Sequence, residues 1–382
     1  MPKPVYLDCA ATTPLDPRVR EEVLRFLDED FGNAGSRTHE WGRRAKSAVE
    51  SARARVSAVV GATRGEVIFT SGATESNNLA ILGLLEFAER TRRKHIVTTE
   101  IEHNAVLEPI RYLATRGFDV TFVPPDASGA VSSSTIATAL RADTMLVSVM
   151  HVNNETGVLQ PLAEIASALE SHAAYFHVDA AQGFGKNLAP LQNKRIDLIS
   201  VSGHKIHAPK GIGALIARKR GKEAVPLSPL LHGGGQERGL RAGTLPVHLI
   251  AGLGKAAELT LDESDFRAAA CRDFRSKLLA GLAPLDPVIN GDLDRSLPNI
   301  VNLSVPGFDA DTVMEAWADL AAISDGAACT SADYSCSHVL SAMRLSEERK
   351  QGAVRISCCH FSELPDLPRM VEQLSRVRTP AI

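Results

Sequence analysis

Between residues 66 and 216 short apolar runs alternate with stretches of helical periodicity, and this alternation constrains the fold more than any other feature. Strand-like runs occupy 66–70 (EVIFT), 95–99 (HIVTT), 120–123, 145–150 (MLVSVM), 175–178 (YFHV), 198–201 and 212–216. Helical stretches at 75–92, 104–116, 133–141 and 162–172 separate several of them. Strands covered on both faces read as continuous apolar runs, and strand–helix–strand succession builds βαβ units. The expected class is therefore α/β, with a large domain whose mostly parallel sheet is flanked by helices. In such sheets, ligand sites open at the carboxyl ends of the strands.

A charged helical stretch at 37–60 precedes the first of these strands. After about residue 260 the pattern changes to a helix at 264–282, an alternating run at 299–304 (NIVNLS) and a helix near 311–320. That predicts a large domain at 17–258 and a smaller α+β domain made of 259–382 together with 1–16.

Composition narrows the function classes. A net charge of −3 lacks the basic excess of a dedicated nucleic-acid binder, so no direct nucleic-acid contact is expected. No stretch reaches the roughly 20 apolar residues that cross a bilayer. The first residues carry no apolar signal core, so a cytoplasmic location and no membrane association are expected. Six cysteines in 382 residues, with no CxxC, favour neither a disulfide framework nor a four-thiolate zinc site. No metal is expected, and the adjacent Cys358 and Cys359 read as buried thiols.

The residues with chemistry follow strands. In 196–213 (IDLISVSGHKIHAPKGIG) an apolar run leads into Ser202, Gly203, His204 and Lys205. Burying an ammonium is costly, but desolvation lowers a lysine's pKa and frees its amine to form an imine. A solvated loop lysine is the plainer alternative. Asp179 ends the preceding run, 26 residues before Lys205. A carboxylate there can keep a heteroaromatic ring nitrogen protonated, whereas an isolated strand-end aspartate more often caps a turn. The segment 70–77 (TSGATESN) joins a strand to a helix, where free N–H groups and the helix dipole favour a phosphate; a simple helix cap is the alternative. His103 and the amide-rich 151–157 (HVNNETG) also follow strands.

Taken in order and spacing, SGATESNN, IEHNAV, HVNNETG, HVDAAQ, SGHKIHAPKGIGAL and RAGTLPV resemble the cysteine desulfurases, class V aminotransferase-like enzymes of fold type I that use pyridoxal 5′-phosphate. The resemblance runs from Tyr6 to about Ser357. It implies that Lys205 binds the cofactor covalently and moves the substrate Cα proton. It implies that Asp179 pairs with the ring nitrogen, Gln182 with the ring hydroxyl, and that His103 stacks on the ring. Ala73, Thr74, Ser202 and His204 would hold the phosphate, and Thr244 would reach the phosphate of a neighbouring subunit in a homodimer. Asn154 would lie beside cofactor and substrate, and Arg355 would grip the α-carboxylate of L-cysteine. Residues 324–331 (SDGAACTS) resemble the active-cysteine loop of the longer-loop group. Cys329 would take the sulfur as a persulfide, release alanine and pass the sulfur to an acceptor protein of iron–sulfur assembly, tRNA thiolation or DNA phosphorothioation.

Four features depart from the family pattern: Cys9, the turn at 33–37 (NAGSR), Asp325 and an extra Cys336 in the cysteine loop, and Cys358-Cys359 after the arginine run. Another class V aminotransferase or a selenocysteine lyase is the nearest competing enzyme, separated by whether cysteine yields alanine and a persulfide. A catalytically idle scaffold is the competing non-enzyme, separated by a cofactor absorption band and turnover.

Overall fold

The computed structural model describes residues 3–325 and 337–378. The chain enters through β1 (Val5–Tyr6), α1 (Pro17–Asp28) and α2 (Glu40–Val59). It then alternates through β2 (Val67–Thr70), α3 (Ala73–Leu82), α4 (Leu85–Thr91), β3 (His95–Thr99), α5 (Asn104–Thr115) and β4 (Asp119–Val123). Next come α6 (Ser133–Ala139), β5 (Thr144–Ser148), α7 (Leu162–Ala168), β6 (Tyr175–Asp179), β7 (Leu198–Ser202) and β8 (Gly213–Ala217). Two long helices follow, α8 (Val247–Asp262) and α9 (Ser264–Leu282). The remainder comprises β9 (Val288–Ile289), β10 (Ile300–Ser304), α10 (Ala310–Trp317), β11 (Ala321–Ala322), α11 (His338–Ala342), α12 (Glu347–Gln351), β12 (Ala353–Ser357) and α13 (Leu367–Arg378).

The central sheet has seven strands in the order β2-β8-β7-β6-β5-β3-β4. Neighbours from β7 through β4 are parallel; β8 runs antiparallel to both β7 and β2. Alternate side chains point to opposite faces. Val67, Phe69, Val97, Ile199 and Val201 meet α1, α2 and α8 on one side. Ile68, Ile96, Leu198 and Leu215 meet α3 and α5 on the other. With both faces covered, β3, β5 and β7 are buried at every residue, which is why none of them carries Asp, Glu, Lys or Arg.

A second apolar cluster lies under the sheet β12-β10-β9, packed by α9, α10 and α13 around Trp317, whose indole N–H donates to the Met370 carbonyl at 3.0 Å. The N-terminal segment is stitched into two places. Cys9 N donates to Ser357 O (3.0 Å) and Ala10 N to Ser357 Oγ (2.8 Å), beside β12. Thr13 N donates to His204 O (2.9 Å), and His207 N donates to Thr13 Oγ1 (2.9 Å), beside the turn after β7.

The strands fall within two residues of their expected positions. The helix expected over 75–92 is instead two helices, α3 and α4, broken at Gly83. Ser228 N donates to the Gly83 carbonyl at 2.8 Å and so takes an acceptor from the helix ladder. A Cβ on Gly83 would sit 2.3 Å from Leu79 O and 3.1 Å from Ser228 O, so glycine fits this approach without a shift of backbone. The stretch expected over 162–172 is helical only to Ala168.

Candidate active site

Loops leaving the carboxyl ends of β2, β3, β5, β6 and β7 converge on a cavity of about 460 Å³. Ten of the expected site residues line it together: Ala73, Thr74, His103, Asn154, Asp179, Gln182, Ser202, His204, Lys205 and Arg355. Thr244 is exposed and lines a different hollow of about 330 Å³ with Asn33, Arg53 and Glu237. Cys329 and Cys336 lie outside the described residues.

Asp179 is the last residue of β6 and is buried. Its Oδ1 accepts the Ala181 N–H (2.9 Å) and its Oδ2 accepts Asn77 Nδ2 (2.7 Å), so the carboxylate is held in one orientation. Lys205 ends the short 3-10 turn Gly203–Lys205 that follows β7. Its ammonium donates to the carbonyls of Ala10 and of Ala11, the latter at 2.7 Å. Gln182 Nε2 donates to the same Ala10 carbonyl at 2.8 Å. One backbone oxygen of the N-terminal segment thus positions two side chains at the ends of two strands.

The helix α3 begins at Ala73 after Gly72, whose φ of +156° belongs to glycine. First-turn N–H groups of a helix lack intrahelical partners, so this end is a cradle for an anion. Glu75 accepts from Ser71 N (2.7 Å) and pairs with Arg241 (3.0 Å), which docks the 241–247 segment (RAGTLPV) beside it. His204, against Thr12 Oγ1 at 3.2 Å, is pushed down to about 4 by burial and by the nearby Lys205, Lys210 and Lys186 charges. It is therefore neutral at pH 7. His103 caps α5, its Nδ1 accepting from Ala105 N at 3.0 Å. That bond assigns the ring proton of the neutral form to Nε2.

Arg355, on β12, is 1% exposed. Its guanidinium donates to Asp8 Oδ1 (2.7 Å) and to the Asn154 carbonyl (3.0 Å), while its Nε is buried without a hydrogen-bond partner. Gln182 Oε1 is buried and unpartnered as well. A buried polar atom left unpaired costs about 1–3 kcal/mol. The expected cofactor fits these groups: its ring hydroxyl suits Gln182, its ring nitrogen suits Asp179, and its phosphate suits the start of α3. Beneath the floor, Glu102 Oε1 accepts from Met150 N and Thr99 Oγ1, both at 2.8 Å. Burial, and then the Asp179 charge, push this carboxyl up to about 8.

Sequence reasoning did not single out Asn77, Asp8, Glu102 or the Ala10 and Ala11 carbonyls. Asn77 lay inside a quoted motif, SGATESNN, but read there as part of a helix start. The carbonyls leave no trace in a sequence, because every residue has one.

Comparison with known proteins is consistent along nearly the whole chain. The profile of the family "Aminotransferase class-V" matches residues 5–370. "Cysteine desulfurase IscS" of Salmonella paratyphi C is 44% identical over 365 residues, covering 95% of this chain and 89% of that one. Among solved structures, DndA from Streptomyces lividans is 51% identical with a TM-score of 0.80, covering 92% of this chain and 99% of that one. "SspA in complex with cysteine" is 37% identical with a TM-score of 0.81, covering 92% and 98%.

Proposed function

Because the chain belongs to the cysteine desulfurases of the class V aminotransferase family, we propose that the cavity behind Lys205 takes pyridoxal 5′-phosphate and L-cysteine, and that the sulfur leaves on Cys329. When bound, the cofactor supplies a conjugated ring that accepts the electron pair released as an amino acid's Cα–H bond breaks. The observation that carries the reading is the pair of buried, unpartnered atoms, Gln182 Oε1 and Arg355 Nε, in one cavity with Lys205 and Asp179.

The roles follow from position. Asp179, fixed by Asn77 and the Ala181 N–H, holds the proton on the ring nitrogen. Gln182 would accept from the ring hydroxyl, and His103 would help to hold the ring. Ala73, Thr74, Ser202 and His204 hold the phosphate. Lys205, held here by the Ala10 and Ala11 carbonyls, would bind the cofactor covalently and carry the substrate Cα proton. Arg355 binds the substrate carboxylate in an oriented fork beside Asn154. The Cys329 thiolate would attack the substrate sulfur to form a persulfide, the Cβ–Sγ electron pair would pass to Cβ, which takes up a proton, and the amino-acid product would be alanine. Thr244, away from this chain's cavity, serves a neighbouring subunit's phosphate in a homodimer. The persulfide then passes to an acceptor protein. The N-terminal 1–16 and 259–382 act as a small domain bringing Arg355 and Cys329 to the large one.

The test is incubation of the holoenzyme with L-cysteine, followed by amino-acid analysis and peptide mass spectrometry. Alanine should form in step with one added sulfur on Cys329, and Cys329→Ser should keep the cofactor but transfer no sulfur. Sulfur found on Cys358 with Cys329→Ser still active would overturn this assignment.

A further inference from the structure

Ser337 caps α11 and ties it to the loops around the large cavity. Its Oγ donates to Glu155 Oε2 at 2.5 Å, a length typical of a hydroxyl on an ionised carboxylate. The same Oγ accepts the Leu340 N–H at 3.1 Å. The next residue, His338, places Nε2 3.0 Å from the Glu102 carbonyl. A carbonyl only accepts, so that nitrogen carries the proton. Glu155 follows Asn154 in the chain and Glu102 precedes His103, so both contacts end beside residues that line the cavity. Val339 and Leu340 then bury themselves in the apolar cluster of the central sheet. Two polar contacts and an apolar face thus fix the start of α11.

A second attachment lies on the other side of 326–336. Ser324 N donates to Arg355 O (3.3 Å) and Arg355 N donates to Ser324 O (2.6 Å), a bridge onto β12. In the sequence Cys329 stands five residues after Ser324 and eight before Ser337. The thiol proposed to take the sulfur is therefore close along the chain to two anchors. One is the backbone of the arginine proposed to hold the substrate, and the other is Glu155.

Glu155 is buried, and its backbone is held on both sides. Asn153 Oδ1 accepts Glu155 N and Thr156 N, both at 2.9 Å, and Asn302 Nδ2 from β10 donates to Glu155 O at 3.3 Å. Burial pushes the carboxyl up to about 7; Asp325 adds to this, while Ser337, Arg355 and His103 oppose it. Those groups come from the ends of β11, α11, β12 and α5, so the carboxyl stands where four elements meet. Burying a carboxylate is costly unless it is hydrogen-bonded, and packing alone would be served by an apolar side chain. Glu155 itself is not among the residues lining the cavity, so any part it plays is through its neighbours.

We propose that Glu155 is a positioning residue for sulfur transfer: through Ser337 it fixes the start of α11, and with it one end of the segment that carries Cys329, beside Asn154 and Arg355. The proposal rests on the reading of Cys329 as the sulfur acceptor.

Holoenzyme at about pH 8, where Glu155 is mainly ionised, is mixed with L-cysteine in a single turnover. The visible cofactor band is followed, and the added sulfur is mapped by peptide mass spectrometry. Glu155→Ala should keep the cofactor band and its change on binding L-alanine. Persulfide formation should fall about 100-fold, since misplacing reacting groups by about 1 Å costs that much. Glu155→Gln, which still accepts from Ser337, should stay within about threefold of the parent. Ser337→Ala breaks the same bond without emptying a buried site, so the test does not depend on the folding of Glu155→Ala. It should reproduce the loss, and the double variant should be no more than about threefold slower than either single one. Persulfide formation by both alanine variants within about threefold of the parent, or a loss of L-alanine binding in proportion to the loss of transfer, would overturn the proposal. Mapping unmutated protein separates this from failure of the underlying reading: sulfur on a cysteine other than Cys329 would overturn that reading, and the proposal with it.

Discussion

Replacing Arg355 with lysine tests the substrate-binding end of the site with little risk to the fold. Asp8, 2.7 Å from the guanidinium, keeps a cationic partner in Arg355→Lys, so no charge is stranded in the interior. What lysine cannot supply is a rigid fork with donors left over for a second carboxylate. Arg355 already spends one donor on Asp8 and one on the Asn154 carbonyl, and its Nε remains unclaimed. Losing one hydrogen bond to a charged group costs about 1.5–3 kcal/mol, or roughly 10- to 150-fold in an equilibrium constant. That interaction exists before and during the chemical step, so the loss should appear in KM for L-cysteine, with kcat changed far less. The assay is alanine release across a cysteine titration, with the visible cofactor band recorded on the same sample. Cysteamine, which lacks the carboxylate, is the control: discrimination against it should shrink by the same factor. A KM within about threefold of the parent, with the cofactor band intact, would mean that Arg355 does not hold the carboxylate.

Lys205→Ala should lose both the imine-linked absorption band and turnover; normal desulfuration by this variant would refute the central assignment. Glu102 has a carboxyl pushed up to about 8 from 4.5 by burial, so between those pH values the folded state holds a proton that the unfolded state releases. Stability should therefore be fullest below about pH 4.5 and decline as pH rises through about 8, and Glu102→Gln should flatten that slope in urea unfolding at several pH values. An unchanged slope would refute it. Glu237→Gln should cost about 3 kcal/mol in denaturant unfolding, because it leaves the buried Arg53 with only the exposed Glu50, at 3.3 Å, as its ion partner. The pair is bidentate, at 2.7 and 2.8 Å, and nearly solvent-free. A loss below about 1 kcal/mol would show the pair to be dispensable.

The parts of the fold that sequence made visible are those where a local pattern and a tertiary role coincide. β3, β5 and β7 are buried on both faces, so the apolar runs and the strands are the same residues. Lys205 and Asp179 stood out because charges at the ends of such runs demand a reason. The break at Gly83 was hidden, because it depends on Ser228 arriving from 145 residues away to claim a carbonyl. Asn77 was hidden for the opposite reason: a polar residue near a helix start already has an ordinary explanation. The meeting of Cys271 with Cys358 and Cys359 around one cavity has no spacing signature at all, since two separate segments supply it.

The stitching of residues 9–13 has a consequence for synthesis. Ala10 closes onto Ser357, 347 residues later, while Thr13 grips the turn that carries Lys205. At about 5–20 residues per second, the ribosome needs roughly 20–70 s to travel from the one to the other. Throughout that interval the N-terminal segment has emerged without its strand partner. Until β12 is made, that segment is held to the Lys205 turn through Thr13 alone, so a chain that stops short of β12 has the lysine and the aspartate but lacks one of the two attachments that fix the Ala10 and Ala11 carbonyls.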